Sequence, residues 1–159
     1  MRPLFVCLTL LASSALVIGA EKYTGPRPPK PDIPYLVHAD KLIETEIGEG
    51  QQEARKDNEI AYIPGPSSPV KTPIPEPFFL VKTEKLDVRA FQCYRLETKG
   101  GRREVILSTK KGKQSRDIPL VFAQIEPGLY KVEVDQLLEV GEYTLSPSNS
   151  NKTFSFQVY

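Results

Sequence analysis

The 159-residue sequence has no tryptophan, one histidine, one methionine and two cysteines. Cys7 lies in the apolar start of the chain, so removal of this start leaves Cys93 alone. A single thiol cannot close a disulfide within one chain, so the domain must hold together by core burial unless Cys93 pairs between chains. One histidine offers little choice of general base, and the phosphate-loop, nucleophile-elbow and paired zinc-ligand motifs are absent. We therefore expect a non-catalytic protein without a cofactor.

The first twenty residues are typical of a secretory signal peptide. They combine Arg2 with an apolar stretch over residues 4–18 and end in Gly19 and Ala20. We predict cleavage after Ala20 and an exported protein, periplasmic or extracellular, that is not integral to the membrane. The alternative is an uncleaved membrane anchor, which would need roughly 20 apolar residues and a charged stop.

The charge of the chain is balanced. It carries 21 basic and 20 acidic residues, and removal of Arg2 with the signal peptide leaves 20 of each. Aromatic residues are not interleaved with the basic ones, and export takes the protein away from the genome. We expect no binding to nucleic acid.

Two proline-rich stretches divide the sequence. Residues 21–34 hold prolines at five positions and predict an extended linker. Residues 64–77 hold six prolines in fourteen positions, which excludes a helix or a central strand and predicts an extended crossing over the surface. We predict one domain, 35–159, in which this crossing either joins two sheets or separates an N-terminal arm from the main body.

Short β-strand patterns dominate the rest of the chain. Residues 35–47 predict a strand, with a helix from Asp40 as the rival, and residues 48–58 predict a polar loop or a broken helical turn. Gly100 and Gly101 predict the turn of a hairpin. Further strands are predicted at 59–63, 77–83, 91–97, 103–109, 118–125, 129–134, 142–146 and 153–159. This even spacing favours an all-β antiparallel sandwich of about seven to nine short strands.

One stretch near the C-terminus, DQLLEVGEYTLS, resembles the tyrosine corner of immunoglobulin-like domains. Leu138 would anchor the corner, Gly141 would allow the bend, and Tyr143 would enter the strand with its ring buried and its hydroxyl bonded to the backbone a few residues upstream. Leu145 stands where antibody domains have a cysteine, and the core tryptophan is missing. The resemblance therefore implies a disulfide-free, immunoglobulin-like β-sandwich in which Tyr143 is structural.

Over most of its length the sequence is also similar to small exported bacterial proteins with no assigned role. The similarity rests on the order of the leader, the proline spacer, YLVHADKLIETE, the second proline stretch, GGRREVIL and the terminal FSFQVY. It implies an address at the cell envelope and supplies no mechanism.

Two constellations are candidates for binding. His38 and Asp40, with carboxylates nearby, are suitable ligand types for a divalent cation, although a solvated strand face is the simpler interpretation. The segment 99–116 is basic, whereas the segment 40–59 is acidic. The basic loops could bind an anionic partner, or the two segments could pair with each other, within one chain or between copies. The candidate cationic loop residues are Lys99, Arg102, Arg103, Lys110, Lys111, Lys113 and Arg116.

We therefore expect an exported binding or assembly module whose partner is a protein or an envelope polymer. The alternative function is a glycan-binding or glycan-cleaving domain that uses scattered carboxylates and exposed tyrosines, with Tyr35, Tyr62 or Tyr94 on a concave face. An acid pair of the glycosidase kind stays open, because only the fold brings such carboxylates together.

Overall fold

The computed structural model describes residues 22–109 and 116–159. Over these ranges the chain is all-β, with two sheets, one short 3₁₀ turn at Val88–Ala90 and no α-helix. None of the described residues forms a helix long and apolar enough to cross a membrane. The predicted signal peptide, 1–20, and the predicted binding residues Lys110, Lys111 and Lys113 lie outside the described residues.

The smaller sheet has five strands in the order β10-β11-β7-β1-β2, and every neighbouring pair is antiparallel. Its strands are β1 (Pro34–His38), β2 (Lys41–Glu44), β7 (Phe78–Lys82), β10 (Leu120–Glu126) and β11 (Leu129–Val134).

The larger sheet has eight strands. Seven follow the antiparallel order β3-β13-β12-β8-β9-β5-β4, and the short β6 pairs in parallel with the end of β13. Its strands are β3 (Glu46–Glu49), β4 (Gln51–Arg55), β5 (Asn58–Pro64), β6 (Lys71–Thr72), β8 (Phe91–Lys99), β9 (Arg102–Thr109), β12 (Gly141–Pro147) and β13 (Lys152–Val158).

The larger sheet closes on itself to form a barrel. Its two outermost strands, β3 and β4, are consecutive in the chain and are separated only by Gly50. The first part of this continuous stretch pairs with β13, and the Gly50 amide extends that ladder by donating to the Asn151 carbonyl at 2.7 Å. The second part pairs with β5. Because one stretch of chain forms both ends of the sheet, the sheet curls until its ends meet. Within this barrel, β8 and β9 pair only through residues 97–99 and 102–104.

The main hydrophobic core lies between the smaller sheet and the outer face of the barrel. Phe154 and Phe156 of β13 and Leu145 of β12 are almost fully buried. The ring of Phe156 lies 5.1 Å from that of Phe79 in β7 and 5.6 Å from that of Tyr143. Such aromatic burial is a major stabilising contribution for a domain without disulfides.

The backbone hydrogen bond expected of Tyr143 is present. The Tyr143 hydroxyl donates to the Glu139 carbonyl, four residues upstream, at 2.8 Å, and the tyrosine is buried. Leu138 is buried, and its amide donates to the Pro75 carbonyl at 2.7 Å. The corner is therefore tied to the proline-rich crossing as well as to its own strand.

Two local predictions were wrong, and a third was incomplete. Residues 35–47 form a hairpin, β1–β2, followed by the start of β3, because Ala39 takes a positive φ of 43° and turns the chain. The segment 48–58 is neither loop nor helical turn: most of it forms β3 and β4, and its end makes the turn into β5. The crossing 64–77 runs mainly over the surface, but Ser68 and Thr72 are fully buried and the short β6 lies within it.

The end of the predicted linker 21–34 is part of the folded body. The Asp32 carboxylate accepts hydrogen bonds from the amides of Glu84, Lys85 and Leu86 at 2.9–3.2 Å. Burial raises the pKa of Asp32, but the backbone hydrogen bonds outweigh this effect and hold the pKa below its usual value. The crossing 64–77 joins β5 of the barrel to β7 of the smaller sheet.

Cys93 is fully buried in the main core, as expected of a small apolar residue, and burial raises the pKa of its thiol to about 12. We expect the native protein at pH 8 to react with a thiol reagent such as 5,5′-dithiobis(2-nitrobenzoate) at least a hundredfold more slowly than the unfolded protein, because the thiolate is the nucleophile. The measurement compares labelling rates with and without denaturant. Equal rates would contradict this burial.

Candidate functional site

The interior of the barrel is lined by one face of each strand. Side chains alternate between faces along a strand, and directly paired residues share a face. Thr144 lies opposite Tyr94 on one side and Ser155 on the other, and Ala61 lies opposite Val105. The interior is consequently mixed, with hydroxyl-bearing residues on β12 and β13 and mainly apolar residues on β5, β8 and β9.

One end of the barrel is closed by a buried ion cluster. The Arg103 side chain has no exposed surface, and its guanidinium donates two hydrogen bonds to the Glu46 carboxylate, at 2.7 and 2.9 Å. It also donates to the carbonyls of Pro64 and Gly65, each at 3.1 Å. Glu142 lies 3.7 Å from the same guanidinium. This bidentate geometry is the strong form of an arginine–carboxylate pair.

The ion cluster also fixes the start of the proline-rich crossing. The Glu142 carboxylate accepts hydrogen bonds from the Ser67 hydroxyl at 2.7 Å and the Ser68 amide at 2.9 Å. The buried carboxylate therefore has neutral donors in addition to Arg103. The cluster links β3, β9 and β12 to the segment 64–68, which lies across this end of the barrel, and we interpret it as structural.

The other end of the barrel contains a cavity of about 160 Å³. Its apolar wall is formed by β5, β8 and β9, through Ala61, Ile63, Tyr94, Leu96, Val105 and Leu107. Its polar wall is formed by Thr144, Ser146 and Thr153. Exposed polar residues surround its mouth, among them Gln52, Ser148, Ser150 and Asn151.

Thr153 differs from the other buried hydroxyl groups of the barrel. Thr153 is 6% exposed, and its Oγ1 has no hydrogen-bond partner within the described part of the chain. In contrast, the Ser155 hydroxyl donates to Thr144 Oγ1 at 3.2 Å. A buried polar group without a partner is costly, and such groups in native proteins call for an explanation.

Two glycines leave room around Thr153. A Cβ atom at Gly48 would lie 2.9 Å from Thr153 Oγ1, and one at Gly50 would lie 3.3 Å from Thr153 Cγ2. Side chains on this stretch would therefore crowd the threonine. Sequence reasoning missed this site, although the alternation of Thr153 with Phe154 in a predicted strand was visible.

A larger groove, of about 900 Å³, is lined by residues of β5, β8, β9 and β12. Three of its charged side chains pair with one another: Arg55 lies 3.6 Å and Lys99 4.0 Å from the Glu104 carboxylate. The groove reaches Arg116, the first residue after the undescribed segment 110–115. Its wall combines charged side chains with the apolar residues Leu96, Val105 and Ile106.

The acidic and basic segments of the sequence meet within one chain. Arg103 pairs with Glu46, and Arg102 donates to Glu53 at 3.0 Å while its guanidinium lies 4.0 Å from the centre of the Tyr62 ring. The hydrogen bond to Glu53 is the main cause of a raised pKa for Arg102. Of the predicted cationic residues, Arg103 is therefore inside the barrel, Arg102 and Lys99 face carboxylates, and Arg116 is exposed. Binding of an anionic partner by these loops stays a prediction.

The other predicted site residues are dispersed. His38 ends β1 and Asp40 lies in the following turn, and among the described residues no group of three or more histidine, cysteine or carboxylate side chains is placed to hold a metal ion. Of the three tyrosines considered for sugar binding, Tyr62 and Tyr94 border the barrel cavity, whereas Tyr35 lies in the smaller sheet. Tyr35 is buried and donates to Glu44 at 2.9 Å, Tyr62 donates to Gln51 at 2.6 Å, and Tyr94 lines the barrel cavity.

The smaller sheet has a free edge at β10. Within the described residues, no strand pairs with the outer side of β10, and Val121 is 46% exposed. Residues 120–125, LVFAQI, carry no charge. Such an edge presents unpaired backbone groups that favour pairing with another strand.

Comparison with known proteins gave no match to a family model, to a curated protein or to a solved structure.

Proposed function

We propose that this chain is an exported, non-catalytic assembly module of the cell envelope that joins a partner protein by strand addition at β10. The observation that supports the proposal is the uncharged free edge of the smaller sheet. Strand addition uses backbone hydrogen bonds for affinity and alternate side chains for specificity, so it needs no pocket.

The two edges of the smaller sheet differ in protection. β2 has four residues and carries Lys41 and Glu44, and Glu44 is held by Lys30 and by the Tyr35 hydroxyl, each at 2.9 Å. Short length and charge are the usual means by which proteins block an edge. β10 has seven residues, of which only the last, Glu126, is charged. The contrast favours β10 as the docking edge.

The register shows which backbone groups of β10 point outward. The Asp135 amide donates to the Pro119 carbonyl at 2.9 Å, so this pair is a hydrogen-bonded one. Hydrogen-bonded and non-hydrogen-bonded pairs alternate along an antiparallel ladder. The next pair, Leu120↔Val134, is therefore not hydrogen-bonded, and the alternation continues along β10. The amides of Val121 and Ala123 therefore face β11, whereas those of Leu120, Phe122 and Gln124 face the free edge.

The partner strand that we propose is β10 of a second copy. An antiparallel pairing of two identical strands satisfies twofold symmetry, so the same surface serves both molecules. Residues 120–125 bring no like charges together in this arrangement. Two copies would form one continuous ten-stranded sheet.

Export is proposed from the leader over residues 1–20. The non-catalytic role is proposed from the single histidine and the lack of a nucleophile motif. The immunoglobulin-like assignment remains part of this proposal and is supported by the corner around Tyr143.

The test is the sedimentation of the chain purified after export, over a range of concentrations. We expect a dimer for the natural chain and for Gln124→Thr, and a monomer for Gln124→Pro, because proline removes an outward-facing amide and leaves the ladder to β11 intact. Urea unfolding of all three serves as the folding control. A monomeric natural chain, or a folded Gln124→Pro variant that still dimerises, would overturn the proposal.

A further inference from the structure

We infer that Phe122 fixes the register in which two copies of this chain pair at β10. This inference rests on the proposed strand addition and names the residue that determines its specificity. The two β10 strands run antiparallel about a twofold axis at Phe122, so that each Phe122 lies directly opposite its copy. Three features of β10 support this register: its outward-facing backbone groups, the limits at its two ends and the half-buried ring of Phe122.

The outward-facing backbone groups favour an axis in the middle of the strand. Hydrogen-bonded pairs with a second copy can form only at residues whose amide and carbonyl face the free edge, and these are Leu120, Phe122 and Gln124. An axis through Phe122 pairs Phe122 with its copy and Leu120 with Gln124 in both directions, which gives three hydrogen-bonded pairs. An axis through Val121 or Ala123 gives two such pairs, and one further along gives a single pair, unless residues outside 120–124 take part.

The start of β10 cannot supply a further pair. An axis through Val121 would place Gln124 opposite Ile118 of the second copy. The amide of Ile118 is already engaged, since it donates to the Cys93 carbonyl at 2.7 Å. Pairing at this position would therefore require that bond to break.

The end of β10 sets the second limit. An axis through Ala123 would place Leu120 opposite Glu126 of the second copy. The ladder between β10 and β11 shifts register between Gln124 and Glu126. This β-bulge removes Glu126 from the alternation of the preceding residues. The axis through Phe122 is therefore the register with the most hydrogen bonds.

The side chain of Phe122 favours the same register. Phe122 is half-buried and packs against the main core from the edge of the smaller sheet. Side chains of directly paired residues lie on the same face, with Cβ atoms about 5 Å apart. The two rings would therefore cover part of each other's exposed surface. Aromatic pairs across neighbouring strands are stabilising, and residues 120–124 bring no charge next to this pair.

Introduced cysteines measure the register in the chain purified after export. Val121 is 46% exposed, Ala123 is exposed and the native Cys93 is fully buried, so the introduced thiols react selectively. In the inferred register Val121 lies opposite Ala123 of the second copy in a non-hydrogen-bonded pair, with Cα atoms about 4.5 Å apart, which suits a disulfide. Val121→Cys is mixed with isotopically labelled Ala123→Cys under mild oxidation, and mass spectrometry separates mixed from self-linked dimers. Mixed dimers should form about tenfold faster than either self-linked dimer, because diagonal neighbours lie about 7–8 Å apart.

The outcomes separate this inference from the proposed function. Faster self-linking of Val121→Cys or of Ala123→Cys would move the axis to that position and overturn the inference while keeping strand addition. Dimers in sedimentation that give no disulfide in any sample would also overturn it. A natural chain that sediments as a monomer would overturn the proposed function itself. Adding Gln124→Pro to both cysteine variants is the control, and mixed disulfides that persist there would contradict pairing through the strands.

A charge exchange at Phe122 gives a second test. Phe122→Glu and Phe122→Lys each place two like charges opposite each other at the axis, so each variant alone should sediment as a monomer. A mixture of the two should dimerise, because the mixed pair brings opposite charges together. Urea unfolding is the folding control, and the cysteine test leaves Phe122 unchanged. A mixture of folded variants that dimerises no better than each variant alone would contradict the register.

Discussion

Replacing Arg103 by methionine is expected to lower the free energy of unfolding by about 3–5 kcal/mol. The substitution keeps much of the side-chain length but leaves the Glu46 and Glu142 carboxylates without the guanidinium that lies 2.7 Å and 3.7 Å away. The carbonyls of Pro64 and Gly65 lose their donor as well. The expected loss comes mainly from uncompensated buried charge, and urea unfolding monitored by circular dichroism measures it.

Arg102→Met is the matched control, since it changes the neighbouring residue of the same strand. Arg102 lies on the outer face, over the Tyr62 ring. Its two carboxylate partners, Glu53 and Glu104, both keep Arg55 as a second cation, so a much smaller loss of stability is expected. Adding Glu46→Gln and Glu142→Gln to Arg103→Met should recover part of the stability. Equal losses for Arg102→Met and Arg103→Met would contradict the buried cluster.

Thr153→Val is expected to raise the free energy of unfolding by about 1–3 kcal/mol. The substitution exchanges an unpartnered buried hydroxyl for a methyl group of similar size, so that no hydrogen bond is lost in the folded protein. Most core substitutions destabilise a protein, and a gain at this position would therefore be diagnostic. The measurement is the shift of the urea midpoint.

Thr144→Val provides the opposite case on the same interior face. Its hydroxyl oxygen accepts from Ser155 at 3.2 Å, so the substitution leaves the buried Ser155 hydroxyl without an acceptor. We expect a loss of about 1–3 kcal/mol in the free energy of unfolding. A loss of similar size in both variants would show that Thr153 is as well bonded as Thr144, contrary to the geometry described above.

The local β pattern was predictable because it depends on neighbouring residues. The hairpin around Gly100 and Gly101, the strand of residues 129–134 and the corner at Tyr143 all follow from turn residues and alternation, and the structure confirms them. The interpretation of 35–47 as one strand was wrong, because a turn at Ala39 carries no glycine, proline or asparagine to signal it.

Barrel closure was not predictable by the same reasoning. It depends on the pairing of β3 with β13, more than a hundred residues away, and no local pattern specifies such a partner. Closure places Arg103 inside the barrel and Arg102 on its outer face. The two arginines are neighbours in a basic segment, so composition alone does not distinguish them. The alternation of Arg103 with Val105 and Leu107 was the available signal that Arg103 faces inward.

Closure of the larger sheet is the feature on which the cavity and the ion cluster both depend, and nuclear Overhauser contacts between backbone protons test it most directly. In an open seven-strand path, β3 and β4 would lie six strand spacings apart, about 29 Å. Closure predicts contacts between Glu49 and Lys152 and between Gln52 and Ala61 in the same spectrum, together with those of the intervening strand pairs. Absence of either contact in the folded protein would contradict it.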